Sequence, residues 1–429
     1  MTNLKHVDCD LLIIGAGMAG MSAAVFAAKR GISTIQCGSS GGLLFASGLL
    51  DLLGVFPVET GRIWDSPWDA IDALTASSPD HPYARVGRET IRESFLELAA
   101  FMSDAGLPYR FQSHANSTVL TGLGTCKPTY GVPLSMWPGV SALSDTLPCL
   151  LVDFKGLKEY SARQIVEIHK KAWPGLRAVR ITFPGTGKTA ELYPEQLARS
   201  LEGEEIRVKL AKTIKKQLRG ETCVGLPAVL GIYQTSTIMA EMEALLGVPV
   251  FEIATPMVSV PGLRIHEKVQ LKLSPDTIRQ FFSTRIERVE SLKDDGFRLH
   301  ARTMQETIVI HARGIILAGG RFLGQGLSAD RFKIRETLFD LPVTQPATRD
   351  DWHSLDFFER SGHPINRAGL EIDRSFRPLD RGGQPAYDHL FAAGSILAHQ
   401  DWIREKSGSG IAIATAFAAV NAFIRQQKG

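Results

Sequence analysis

The run Leu11–Leu12–Ile13–Ile14–Gly15–Ala16–Gly17–Met18–Ala19–Gly20 joins an apolar segment to a glycine turn and then to an alanine-rich stretch reaching Arg30. Four consecutive apolar residues stopped by glycine read as a buried strand, and the alanine-rich stretch closed by Gly31 reads as a helix. A second strand, Ser33–Gln36, completes a βαβ unit. Each glycine of the GxGxxG turn has a separate task. Gly15 permits the tight exit from the strand, Gly17 lets a diphosphate approach the backbone, and Gly20 lets the helix pack closely on the sheet. The helix amino terminus adds free N–H groups and the positive end of its dipole. A chain that opens this way is expected to be α/β, with a nucleotide's phosphates at the carboxyl end of its first strand.

The second strand departs from the dinucleotide pattern. Such sites carry Asp or Glu at its end to bind the adenosine ribose, whereas here the residues are Gln36–Cys37–Gly38–Ser39. Gln36 or Ser39 can bond a hydroxyl, but without charge. NAD is disfavoured, and FMN, which has no adenosine ribose, stands beside FAD.

Two further motifs point to a flavin. Gly41–Gly42–Leu43–Leu44–Phe45–Ala46–Ser47–Gly48 follows the second strand, and its small residues allow backbone to lie against a flat ring. Flavoproteins of the fumarate-reductase type have a similar loop. Near the other end, Ala392–Ala393–Gly394–Ser395 is a strand and turn, and Gly408–Ser409–Gly410 opens an alanine-rich helix. In related flavoproteins an AxGD turn reaches the ribityl chain, and a later helix dipole stabilises the reduced flavin's negative charge. Ser395 stands where that Asp is expected. The cofactor contacts read from these motifs are Gly15, Gly17, Gly20, Ser39, Gly41, Gly42, Ser47, Gly48, Gly394, Ser395, Gly408, Ser409 and Gly410.

With 429 residues the chain exceeds one ordinary core. We expect a Rossmann-like flavin-binding domain assembled from both chain ends, 1–110 and 300–429. An inserted α/β domain that covers the substrate is expected at 110–300. The insert's signals are helical patterns near 160–172 and 191–217 and a strand at Val224–Leu230. On return, Ile308–Ile310 and Gly314–Leu317 read as two strands.

A formal charge of +3 on 93 charged side chains gives no case for nucleic acid. Five scattered cysteines without a CxxC pair argue against a disulfide framework or metal cluster. Electrons would leave through another chain. The first apolar run is the strand at Asp10–Leu11, so no secretory signal is expected. The apolar stretches 43–58 and 411–424 read as too short to cross a membrane. Pro184–Gly185–Thr186–Gly187–Lys188–Thr189 imitates a phosphate loop, but Thr182 stands where its first glycine belongs.

Taken together, LLIIGAGMAG, LLFASGLLDLLG, His81–Pro82–Tyr83, ILAGGRFLGQGL, Thr348–Arg349 with Trp352, and LFAAGSILAHQD with GSGIAIATAFAA resemble the B-subunit family of anaerobic glycerol-3-phosphate dehydrogenases. The resemblance runs along nearly the whole chain, and SGLLDLL is its most specific element. It implies a flavoprotein, usually with FMN, on the cytoplasmic face of the membrane. It also implies a complex with a flavin-bearing A-subunit and a membrane-associated iron–sulfur C-subunit. The implied reaction oxidises sn-glycerol 3-phosphate to dihydroxyacetone phosphate and sends electrons toward quinone. The segment Trp402–Ser407 departs from the family, being more charged than its usual small, neutral residues.

Oxidising a secondary alcohol with flavin needs a base for the hydroxyl proton, and a phosphorylated substrate needs fixed cations. His399 is the candidate base. Arg404 and Lys406 are candidate cations beside the flavin, and Arg321 and Arg264 are further ones. A non-catalytic electron relay, or oxidation of another small anion such as a dicarboxylate, stays open at this stage.

Overall fold

In the computed structural model, residues 4–38, 42–187, 189–256, 259–292, 296–303 and 306–428 are described. The chain divides into two compact units. One comprises Met1–Gly42, Asp51–Phe101 and Leu271–Gly429, the other Leu43–Leu50 and Met102–Gln270. The first unit therefore regains the chain at Leu271 rather than near 300. The strands Ile278–Phe282, Arg285–Ser291 and Phe297–Arg302 all belong to its sheet. In Phe297–Arg302 charged residues face outward and apolar ones inward in alternation, whereas a bulge near Ile286–Arg288 interrupts that pattern in Arg285–Ser291. Leu43–Leu50, expected with the first domain, groups with the second unit.

In the first unit's sheet the strand Leu4–Ile14 lies between Thr34–Gly38 and Thr307–Leu317, parallel to both. Thr307–Leu317 is one strand of 11 residues, not two. It changes partner midway on its other edge. Thr307–Ala312 pairs antiparallel with Phe297–Arg302, and Ile315–Leu317 pairs parallel with Leu390–Ala392. His311–Ala312–Arg313 interrupts the apolar pattern at that changeover. Four of the sheet's five parallel strands thus bring Gly15, Gly38, Ala318 and Ala393 to one edge of the sheet, where α/β folds bind ligands.

The helix Met18–Lys29 packs on the long helix Gly408–Lys428, with Phe26 meeting Phe417 edge-on at 5.0 Å. Such a pair is worth about 0.5–1.5 kcal/mol beyond its buried area. Arg30 reinforces the contact by donating from Nε to Asn421 at 3.0 Å and through its pair with Glu97 at 2.6 Å. The stretch 411–424, too short by itself to cross a membrane, is in fact part of a helix long and apolar enough to do so. That helix is 72 % buried within the protein, as the core helix of a globular unit is.

The second unit carries a four-stranded parallel sheet in the order Val250–Ile253, Cys223–Pro227, Cys149–Phe154, Leu176–Ile181. Three of its strands, Cys149–Phe154, Cys223–Pro227 and Val250–Ile253, are buried at every residue because helices cover them, whereas the edge strand Leu176–Ile181 carries Arg177 and Arg180. The helices include Ala162–His169, Glu204–Lys215 and Thr235–Leu246. Leu150, Val152, Phe154, Leu226 and Phe251 form the core. The helical pattern at 191–217 is two helices, Pro194–Ser200 and Glu204–Lys215, interrupted by the turn at Gly203. All five cysteines are free thiols.

Candidate functional site

The glycines of the first turn do what their positions require. Gly15 has φ +131°, and a β-carbon there would overlap the carbonyl oxygen of Ala318. A β-carbon on Gly20 would overlap the oxygen of Gly15. Gly17 differs: it has an ordinary φ of −77°, caps the helix Met18–Lys29, and among the described residues beyond its chain neighbours has no atom within 4 Å of its β-carbon position. The helix start has no side-chain cap, and among the described residues its first N–H groups have no recorded acceptor. This is the arrangement a flavin's phosphates need.

The strand ends hold one another. The Gly15 N–H donates to the Cys37 carbonyl at 2.7 Å, the Ala318 N–H to Ile14 at 2.8 Å, and the Ala393 N–H to Leu317 at 2.9 Å. Gln36, expected to face a ribose, is buried and turned inward. Its Nε2 donates to the Gly15 carbonyl at 3.0 Å, and its Oε1 accepts from Gln280 at 2.9 Å. It braces the turn. Gly394, with φ +82°, approaches the same helix, since a β-carbon there would lie 2.6 Å from that of Ala19. Its N–H donates to Thr415 at 2.8 Å. Ser395 is half-buried beside Gly320, whose β-carbon position is 3.4 Å from the Ser395 hydroxyl. Gly15, Gly17, Gly20, Gly394 and Ser395 therefore converge.

Other expected contacts fall elsewhere. Ser39 and Gly41 lie outside the described residues, and Gly42 is exposed. Ser47 and Gly48 belong to the second unit, where the Gly48 carbonyl accepts from the Tyr109 hydroxyl at 2.7 Å. At the carboxyl-terminal helix, the Ser409 hydroxyl accepts from the Asp51 N–H at 2.6 Å. The Gly410 N–H donates to the Asp51 carbonyl at 2.7 Å. These two groups anchor the Asp51–Gly54 segment instead of presenting donors to a ligand. Gly408 lies against the Trp402 ring.

The candidate cations are corrected by their partners. Arg264 is 3 % exposed and pairs with the buried Glu252 at 2.6 Å. Its charge is neutralised and does not await a phosphate. Arg321 donates to the carbonyls of Ser395 and Gln400, both at 2.8 Å, and to that of Asn366. Burial pushes its pKa down to about 10, against the opposing fields of Asp401 and Glu405. It is a clamp on the Ser395 turn. Arg404 pairs with Asp401 at 3.3 Å. Lys406 is half-buried with φ +54°, ending the short helix Trp402–Glu405.

His399 sits half-buried with φ +65° and bonds the Glu371 carboxylate through Nε2 at 2.5 Å. Glu371 also accepts from the Thr344 hydroxyl at 2.9 Å. The bond to Glu371 raises the imidazole above its ordinary value, and Glu371 is lowered in turn. Sequence reasoning missed this carboxylate. It also missed the pairing of His81, 1 % exposed, which meets the buried Glu405 at 3.4 Å. Burial pushes Glu405 up, but hydrogen bonds from His81, the Asp401 N–H and Ser407 outweigh it and hold the carboxyl below its usual range. The motif His81–Pro82–Tyr83 carried that signal without showing its partner. Among the described residues no group of His, Cys, Asp and Glu is arranged to hold a metal.

The family model described as "FAD binding domain" matches residues 10–411. A Halobacterium salinarum protein, named as the probable B-subunit of anaerobic glycerol-3-phosphate dehydrogenase, is 32 % identical over 96 % of this chain and 97 % of its own length. An Aliivibrio fischeri protein, named as the B-subunit of the same enzyme, is 28 % identical over 98 % of this chain and 96 % of its own. Among solved structures, a flavocytochrome c3 fumarate reductase in its open conformation is 10 % identical, with a TM-score of 0.44 over 97 % of this chain and 78 % of that one. The chain thus belongs to the FAD binding domain family of flavin oxidoreductases and, within it, to the B-subunit proteins of anaerobic glycerol-3-phosphate dehydrogenase.

Proposed function

We propose that this chain binds FAD at the Gly15–Gly20 turn and oxidises sn-glycerol 3-phosphate to dihydroxyacetone phosphate. The electrons then pass through partner subunits toward quinone. The observation that carries the reading is the combination of an open Gly17 cradle with full-length likeness to proteins of that name. The family model's own cofactor favours FAD, although FMN is what the absent ribose-binding acid suggests. Bound flavin supplies a hydride acceptor. His399, held by Glu371, takes the hydroxyl proton in its neutral form, with Arg404 and Lys406 on the segment that follows. The partners are a flavoprotein of the A-subunit type and an iron–sulfur protein of the C-subunit type, on the cytoplasmic face of the membrane.

A second reading has one observation in its favour: Arg264, Arg321 and Arg404 all have internal partners, leaving fewer cations for a phosphate. In it the flavin only relays electrons from a catalytic partner. Anaerobic addition of sn-glycerol 3-phosphate to the purified chain separates the two. Bleaching of the flavin supports the dehydrogenase reading, and bleaching only after the A-type partner is added supports the relay. The mass of the cofactor released by heat tests FAD, and a mass matching FMN overturns that assignment.

A further inference from the structure

The second unit contains a pocket of about 310 Å³ that nothing above uses. Its size is at the small end of ligand pockets, which run from about 300 to 1,000 Å³. Tyr109, Met239 and Ile265 contribute to a wall that is mainly apolar, so its occupant is mainly hydrocarbon. One side is polar and deeply buried. Arg264 is 3 % exposed and donates from Nε to the Gly231 carbonyl at 2.7 Å and from Nη1 and Nη2 to Glu252 at 2.6 and 2.8 Å. A guanidinium has five N–H donors, and among the described residues the other two have no acceptor. Thr235, on the same lining and 6 % exposed, has a hydroxyl with no partner among the described residues. Buried donors left unpaired are destabilising, and an oxygen-bearing ligand would satisfy them.

The charges select the kind of oxygen. Arg264 and Glu252 cancel, and Glu243 adds a carboxylate to the lining. An anionic head would meet a net negative wall, whereas a neutral carbonyl accepts hydrogen bonds without that repulsion. We infer that this pocket binds a small neutral carbonyl compound, its carbonyl oxygen toward Arg264 and its hydrocarbon body toward Met239 and Ile265. The inference does not depend on which alcohol the flavin oxidises.

The test uses the full, flavin-loaded chain and two probes of matching shape, 1-tetralone and its hydrocarbon counterpart tetralin, titrated by ligand-detected NMR. The ketone is expected to bind at least ~10-fold more tightly, the factor that one added hydrogen bond of about 1.4 kcal/mol supplies. Met239→Trp, which fills the pocket, is expected to remove binding of both probes. Ala240→Trp, at an exposed lining position, repeats the test if the first variant does not fold. Equal affinity for the two probes, no ketone binding up to its solubility limit, or undiminished binding in a folded Trp variant would overturn the assignment.

Discussion

Replacing Gly17 with alanine separates the cofactor's need for that glycine from the fold's. The new methyl group meets no atom within 4 Å, and φ of −77° suits alanine. Relief of glycine's unfolded-state entropy favours the variant by about 0.4–1 kcal/mol, and loss of a glycine cap opposes it by a similar amount. The stability of the apoprotein should change by less than about 1 kcal/mol. A phosphate lying over Gly17 must instead move aside, at the roughly 1–3 kcal/mol that an inserted methyl costs in a packed site. That corresponds to a flavin Kd weakened between about fivefold and 150-fold. Gly20→Ala is the contrast, because its β-carbon would overlap the Gly15 carbonyl, and it should unfold the turn itself at a cost above about 3 kcal/mol. Thermal unfolding of the apoprotein and flavin fluorescence titration read the two effects separately. Wild-type flavin affinity in Gly17→Ala would refute the placement of the phosphates.

Glu371→Gln should lower the pKa of His399, followed by imidazole NMR, and move the alkaline rise of flavin reduction to lower pH. By linkage, the stability His399 gains from its raised value is full below its ordinary 6.5 and is lost as pH climbs through the folded value. The variant should lose most stability in the acid-side window, and an unchanged imidazole titration contradicts the pairing. Arg264→Met leaves Glu252 buried and uncompensated, and chemical denaturation should register a loss of about 3–5 kcal/mol in the second unit, largely restored by Arg264→Met/Glu252→Met. Arg321→Met frees the carbonyls of Ser395, Asn366 and Gln400, and flavin titration should show at least ~10-fold weaker binding with the helix content of circular dichroism retained.

The first βαβ unit is legible in the sequence because each of its requirements is local: a four-residue apolar run, a glycine at each close approach, an alanine-rich helix stopped by Gly31. The pairs that complete the site are not local. His81 and Glu405 are 324 residues apart, and Asp51 and Ser409 are 358 apart, so no spacing rule joins them. The arginine readings fail for a related reason. A basic residue beside a glycine turn looks like a phosphate ligand until its acceptor is known, and Arg321 and Arg264 owe their acceptors to tertiary packing. A boundary near 300 puts Ile278–Phe282 and Arg285–Ser291 in the wrong domain because an edge strand's alternation is the same whichever sheet it joins.

The pairing of Leu4–Ile14 with Thr307–Leu317 also sets a timetable for biosynthesis. When the first strand and its glycine turn leave the ribosome, the strand that flanks them on one side is still about 300 residues from being made. At roughly 5–20 residues per second the interval is about 15–60 s. During it the nascent strand keeps an unpaired apolar edge, a template for aggregation. The second unit has the four strands of its parallel sheet between Cys149 and Ile253 and can fold during that wait. Flavin capture therefore falls at the end of translation, and cells starved of flavin would accumulate chains with a finished second unit and an open first one.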